Sequence, residues 1–445
     1  MEVILKMKKA MNHKSKSNGR LNCEPAIKRR WWLGILLLIA SVLYLPAARL
    51  HAYSALDSYW QWGEPQRGLS ARSLAMGSTG ISSLDDATAL GVNPALLDLG
   101  DEETNGSFSL SGGPLWFFDK RDHSHNAVTY AATDNTNFNF PSAAMLWSAS
   151  RRNDFILGFG FFSDLNFDYN LEEKDSSALI TDRVTAEGGF HDWVLGANWK
   201  AAPWLSVGMS YLWGVGKDDK DLILSTSSAN ATLLTKTSDY QELSGNSVLL
   251  GVNYSYEDVF NVGMFWRSGY EMKVKETLSK VTDNTVKISS STKFVREMPY
   301  QMGVGATYNF GDDFDSKLVF DMIYTAWGNS KYWVTSYNGI GQPKVKVSPD
   351  FSSVTEYHFG FEHSPMERMY FRYGFSYIPD YPSVSDALAA ISLGVGFTVQ
   401  QVTVDVAGEY AFKEEDQKRI SQIYSGFDTV TERRQQLMAT LSYKW

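Results

Sequence analysis

QVTVDVAGEYAF, residues Gln401–Phe412, alternates without a break. Val402, Val404, Val406, Gly408, Tyr410 and Phe412 fall on one side of an extended chain, and Thr403, Asp405, Ala407, Glu409 and Ala411 on the other. Successive side chains of a strand point to opposite faces, so this is a strand with one apolar, aromatic-ended face and one small, polar or charged face. Met302, Val304, Ala306, Tyr308 and Phe310 repeat the pattern, as do Leu205, Val207, Met209, Tyr211 and Trp213. It recurs at Val248–Tyr256, Phe260–Trp266, Leu318–Tyr324, Met369–Tyr377 and Ile391–Val399. Two-faced segments of this kind fit a soluble sandwich or a membrane barrel with a polar lumen and an apolar outside.

Connection lengths separate the two. Working back from the C-terminus, the links at 411–432, 328–352, 269–297, 214–242 and 164–189 are long, and 378–388 is of middle length. Those at 399–401, 363–367, 310–316, 256–258 and 200–203 are short. A sandwich has no reason to sort its loops by parity, whereas a transmembrane barrel has tight turns on one side and long loops on the other. The expected fold is therefore an all-β transmembrane antiparallel barrel. Fifteen segments qualify as strands if Thr104–Gly113 and Asn126–Thr133 both count. Termini on one side require an even number, so fourteen strands are expected and one of those two segments is not a full strand. Leu437, Ala439, Leu441, Tyr443 and Trp445 give a last apolar face ending on an aromatic. That ending resembles the C-terminal signal by which outer-membrane proteins are recognised by the barrel-assembly machinery, an expected partner through the strand ending at Trp445.

The start of the chain has the form of an export signal. Lys28-Arg29-Arg30 precede the apolar run Trp31–Leu45, shorter than the roughly 20 residues a spanning helix needs. Cleavage is expected after Ala52, with Ala48 as second choice, which makes residues 1–52 a signal peptide. Cys23, the sole cysteine, lies upstream of the cut, so no thiol or disulfide is expected in the mature chain. Residues 1–52 hold 10 Lys/Arg and 2 Asp/Glu, leaving 31 basic and 48 acidic residues, net −17 against −9 for the whole. Such a charge disfavours nucleic acid as a partner.

Between signal and barrel, Ala71–Gly100 reads ARSLAMGSTGISSLDDATALGVNPALLDLG. Ser82 and Asp85 are spaced to start a short helix that ends at Gly91. Asn93 can cap a second turn that begins at Pro94. The small residues Gly77, Ser78, Thr79 and Gly80 allow close backbone approach. The set Met76-Gly77-x-x-Gly80, Asp86-Ala87-x-Ala89 and Asn93-Pro94-Ala95 resembles the N-terminal hatch of the FadL/TodX family of outer-membrane transporters. Further similarity lies at Met298-Pro299, Tyr324-Thr325-Ala326-Trp327, Tyr357-His358-Phe359-Gly360 and Phe371-Arg372-Tyr373-Gly374-Phe375-Ser376-Tyr377.

The resemblance implies residues 53–103 folded as a plug inside a fourteen-stranded barrel of residues 104–445, with Gly77, Gly80, Asn93, Pro94 and Ala95 as its marker positions. It also implies passive uptake of a hydrophobic small molecule, such as a long-chain fatty acid or an aromatic hydrocarbon, from a protein surrounded by outer-membrane lipid. A related barrel family, PorV, has a similar N-terminal pattern and serves protein secretion, so a scaffold role is the alternative. The Ser/Thr/Lys-rich segments 214–242 and 269–297 lack any match to the hydrophobic outer groove of the transporters.

The alternation turns Arg267, Asp321, Glu356, Glu362, Arg372, Asp405 and Glu409 inward. These form either a mutually neutralising network or, at Arg372 and Arg267, a fork for a ligand carboxylate. Inward Gly158, Gly160, Gly303, Gly305, Gly394 and Gly396 leave room for a plug or ligand against the wall. No nucleophile elbow, phosphate loop or dinucleotide motif occurs at a strand–helix junction, and neither enzymatic activity nor a cofactor is expected. His123 and His125, with Asp119 and Asp122 beside them, read as a polar loop rather than a metal site.

Overall fold

The computed structural model describes residues 62–445 apart from 101–102, 123–130, 151–152, 176–179, 229–230, 258, 283–285, 311–314, 367, 383–386 and 419–426. The signal segment and the pair His123 and His125 lie outside the described residues. Fourteen antiparallel strands close on themselves. They are β1 (Gly106–Asp122), β2 (Ala131–Ser148), β3 (Phe155–Asn166 and Tyr169–Asp175), β4 (Ile180–Ala202), β5 (Leu205–Ser228) and β6 (Ala231–Tyr256). Next come β7 (Phe260–Arg267 and Tyr270–Thr282), β8 (Val286–Met298 and Gln301–Phe310) and β9 (Asp315–Thr325 and Lys331–Tyr337). The circuit is completed by β10 (Val354–Met366), β11 (Met369–Pro379), β12 (Ala387–Val399), β13 (Val402–Lys418) and β14 (Phe427–Lys444). Closure is made where β1 pairs with β14 from Ser107↔Lys444 to Asp122↔Thr429, so the strand ending beside Trp445 leaves no open edge.

Alternation is realised as read. On β13 Val404, Val406 and Phe412 are exposed, while Asp405, Ala407, Glu409 and Ala411 are buried. Trp213, Met302, Tyr308, Leu393 and Leu441 likewise face outward, forming the apolar belt of a transmembrane barrel. Of the two doubtful segments, Thr104–Gly113 leads into β1, and Asn126–Thr133 lies largely outside the described residues. Its described residues, Ala131–Thr133, are the outer end of β2.

Four of the expected outer loops, 164–189, 214–242, 269–297 and 411–432, are largely strand among the described residues. β4, β5 and β6 run for 23, 24 and 26 residues, about 75–85 Å of chain at ~3.3 Å per residue, where 9–11 residues cross a membrane. They continue outward through segment 214–242 as a raised sheet, joined by the outer halves of β7 and β8 through segment 269–297. Lys217, Asp218, Asp219 and Lys220 carry no apolar period because this sheet has water on its outer face. Its ladder is backbone pairing reinforced by cross-strand charges, with Lys217 opposite Glu242 and Glu242 opposite Lys275.

Residues 62–99 fold inside the lumen. Helix α1 (Ala71–Ala75) is capped by Ser70, whose hydroxyl accepts from Ser73 N at 3.3 Å. The next turn, Ala87–Gly91, ends where expected but starts four residues late, capped at Asp86 instead of Ser82. Asp86 accepts from Thr88 N at 2.8 Å, while Ser82 Oγ meets Thr307 Oγ1 on the wall at 2.8 Å. Leu84, Leu90, Leu97 and Leu99 pack with Leu146, Ile156, Val194, Leu212 and Leu249 of the strands in one apolar cluster.

Candidate functional site

The hatch is held by backbone contact and by buried charge. Gly77 has φ 70°, and a Cβ there would lie 2.6 Å from Phe375 O and 2.7 Å from Phe359 O, so only glycine fits between β10 and β11. Opposite it, a Cβ on Gly374 would overlap Gly77 N itself. Gly77 N donates to Ser392 Oγ at 3.0 Å, and Gly77 O meets His358 Nδ1 at 2.7 Å. The N–H groups of Gly80 and Ile81 both donate to Asp321 Oδ2, at 2.6 and 2.9 Å. One carboxylate thus satisfies two donors that would otherwise be orphaned in a dry interior.

Asn93 closes the other half of the plug. Its Oδ1 accepts from Ala95 N at 3.1 Å and its Nδ2 donates to Ile81 O at 2.7 Å. Pro94 and Ala95 lie flat on the wall, where β5 and β6 present Gly208 and Gly251 with no side chain to intervene. Four of the six glycines the sequence singled out also receive the hatch, while Gly160 and Gly396 meet wall side chains. Gly303 and Gly305 face Ile81, Gly394 faces Ala75 and Gly158 faces Leu90.

Arg372 and Arg267, the two candidate ligand forks, are spent on carboxylates of the chain. Arg372 donates to Glu362 at 2.7 Å and to Asp405 at 2.5 Å. Glu362 in turn takes both Nε and Nη2 of Arg72 from the hatch, each at 3.2 Å, and Arg72 also pairs with Asp85. Arg267 grips Asp164 with two bonds, at 2.6 and 2.9 Å, and Asp192 with one at 2.7 Å. Hatch and wall are therefore joined by a chain of charges, Asp85–Arg72–Glu362–Arg372–Asp405. Arg72, Asp321 and Ser392 had no local signal as anchors, since each meets a partner hundreds of residues away.

The wall itself has a break. β2 and β3 pair from Ser142↔Phe162 to Ser148↔Ile156 and again only at Ala131↔Glu173. Residues 132–141 and 163–172 between these points do not pair with each other. β3 bends here, at Phe167–Asp168. The arm leading to the hatch enters this seam as a two-residue strand, with Glu64 opposite Asn166 and Pro65 opposite Leu165. Gln66 N adds a bond to Asp164 O at 2.8 Å, and Gln66 Oε1 accepts from Asn139 Nδ2 at 3.2 Å. Glu64 pairs with Arg434 of β14. What remains open is a polar cleft of about 10 Å³ beside Glu64, Gln66, Arg67 and Arg434, room for roughly one water.

Above the hatch, Trp62 closes an aromatic box. Its ring meets Trp327 at 6.4 Å and Phe351 at 5.5 Å, both edge-on, and Trp327 stacks on Tyr381 at 4.0 Å. Phe167, Phe190, Met272 and Met298 extend the same apolar cluster. The box is not legible locally because Trp62, Trp327, Phe351 and Tyr381 come from distant parts of the chain. The seam is not because it is a property of the pairing of β2 with β3 rather than of either strand. Among the described residues no cluster of His, Cys, Asp and Glu has metal-holding geometry.

Fold comparisons agree with this anatomy. A Pseudomonas aeruginosa FadL homologue superposes with a TM-score of 0.65 at 12% identity, covering 86% of this chain and 99% of its own. The toluene transporter TodX of P. putida gives 0.62 at 16% identity, covering 85% and 99%. TbuX, the toluene transporter of Ralstonia pickettii, gives 0.58 at 16% identity, covering 85% and 99%. The FadL/TodX resemblance read from the hatch motifs is thus borne out in the fold. No curated protein matches the chain. The BamG family model matches residues 57–413, four-fifths of the chain, and so this FadL-type barrel is a member of the BamG family.

Proposed function

We propose that the protein sits in the bacterial outer membrane and passes hydrophobic small molecules inward without energy input. The observation that carries this reading is the seam between β2 and β3, stoppered from within by the short arm Glu64–Gln66. In this mechanism a ligand leaves water for the aromatic box, gaining about 0.8 kcal/mol per buried methylene. It displaces Trp62, the arm that continues into Glu64 and Pro65 withdraws, and the ligand leaves sideways through the seam. The names of the solved relatives include toluene transporters, which supports aromatic hydrocarbons as cargo. Long-chain fatty acids are the other cargo that the FadL/TodX resemblance implies. Arg372 and Arg267 would contact a ligand carboxylate only by exchanging it for a wall carboxylate.

The arm is testable because the sole cysteine, Cys23, precedes the expected cleavage. Gln66→Cys with Asn139→Cys places two thiols where the side chains now bond across the seam. Oxidation should abolish uptake of labelled fatty acid or toluene, and reductant should restore it. Full uptake through completely oxidised protein would refute the sideways route.

A second reading is supported by the family name and by how fully the hatch and aromatic box fill the lumen. In it the barrel is a scaffold that holds other proteins during outer-membrane barrel assembly. An empty lumen with stable co-purifying partners would favour it, and a retained acyl or aromatic ligand would favour transport.

A further inference from the structure

β9 breaks at a turn, Trp327–Asn329, and continues as Lys331–Tyr337 beyond the aromatic rim, on the side away from Trp445. The chain then reverses at Asn338–Gly339 and returns as Gln342-Pro343-Lys344-Val345-Lys346-Val347-Ser348-Pro349. Val347 exchanges both backbone bonds with Tyr332, at 2.8 and 2.9 Å. Tyr332 is opposite Arg296, so Val347 lies about 16 Å along β8 beyond Gln301, at ~3.3 Å per residue. From there the hairpin climbs further, to Ile340, clear of the lipid belt.

Lys344 and Lys346 lie over the ring of buried Trp333, with Nζ 4.0 and 4.9 Å from its centre. Lys346 also pairs with Glu297 at 2.9 Å. Val345 and Ile340 are left 64% and 70% exposed. Because Val347 directs both backbone groups to Tyr332, the N–H groups of Lys346 and Ser348 point to the other side, where the described residues offer no partner. Edge strands are normally guarded by outward lysines and by proline. Here the lysines stay exposed but lean over Trp333 on one face of the strand, and Pro343 and Pro349 only bracket the free edge. Residues 331–350 carry Lys331, Lys344 and Lys346 against the single acid Asp350.

We propose that the edge Lys344–Ser348 receives an extended segment of another protein as an added strand. The segment is short, as the two prolines dictate, and alternates apolar residues, which cover Val345 and Val347, with acidic ones, which meet the lysines. Main-chain bonds supply the affinity and the alternate side chains the choice of partner.

The test is a photo-crosslinking side chain at Val345 of the full chain in intact cells. A protein adduct should form, and Ser348→Pro, which deletes one edge donor, should reduce it at least tenfold. Lys344→Glu with Lys346→Glu should do the same. Exchange protection of the Tyr332 and Val347 amides, unchanged in Ser348→Pro, shows that the hairpin itself survives. An adduct insensitive to Ser348→Pro would overturn the proposal. So would an adduct with a second copy of this chain or with lipopolysaccharide, or none at all.

Discussion

Asp321 shows how a single side chain decides whether the plug is fixed. Asp321→Ala removes the acceptor for Gly80 N and Ile81 N together. Bonds to a charged acceptor are worth about 1.5–3 kcal/mol each, so the hatch should loosen while the closed ladder of the barrel stays intact. Hydrogen exchange should find the Gly80 and Ile81 amides deprotected and the β12–β13 amides unchanged. Asn93→Ala removes the Ala95 cap and the bond to Ile81 O, a cap being worth ~0.5–2 kcal/mol. It should alter uptake without lowering the heat resistance of the barrel. Arg372→Ala leaves Asp405 buried without its guanidinium, and breaking such a pair costs about 3–5 kcal/mol. Thermal unfolding should reveal that loss, and binding of a carboxylate ligand and of its ester should fall equally. Loss for the carboxylate alone would restore Arg372 as a ligand contact. Asn93-Pro94 was readable because a cap and its turn are adjacent in the chain. Asp321 was readable only as an inward charge, since its partners lie 240 residues away.

Among elements, the raised sheet of β4–β8 is where polar alternation hid strands. Its inner face buries Asp218 and Lys220, whose charged atoms are 2.7 Å apart, with Arg296 donating to Gln241 at 2.8 Å nearby. Burial pushes the Asp218 carboxyl up to about 6 and raises Asp239 as well. A carboxyl raised above its unfolded value of about 3.9 stabilises the folded state fully below that pH, and the contribution is lost as pH rises through the folded value. Exchange protection of residues 214–223, corrected for intrinsic rates, should therefore fall as pH rises from about 4 to about 6 and level off above that. Asp218→Asn should flatten that dependence. The apolar strands of the belt were legible because lipid outside and hatch inside force a period of two. In the raised sheet water replaces lipid, so Lys217–Lys220 pair as strand without announcing it. The helical turn expected at Ser82 failed for a related reason, as wall residue Thr307 claims that hydroxyl.

For the molecule as a whole, fourteen strands, an internal plug and a seam form one device. Closure of β1 on β14 predicts a heat-modifiable protein that migrates faster in gels before boiling than after. Recovery as a detergent-free soluble protein would contradict the membrane belt of Trp213, Leu393 and Leu441. The strand count, the loop parity and the hatch motifs were all present in the sequence. The break between β2 and β3 was not, because it is a property of pairing rather than of either strand. The central claim is that residues 71–100 seal a barrel that is otherwise open. Conductance in a planar bilayer tests it most directly, comparing the full chain with one lacking those residues after both are shown to be heat-modifiable. The full chain should conduct little, and the deletion should open a stable pore that admits small polar solutes. An intact, heat-modifiable barrel whose conductance is unchanged by the deletion would place the seal elsewhere and contradict the account.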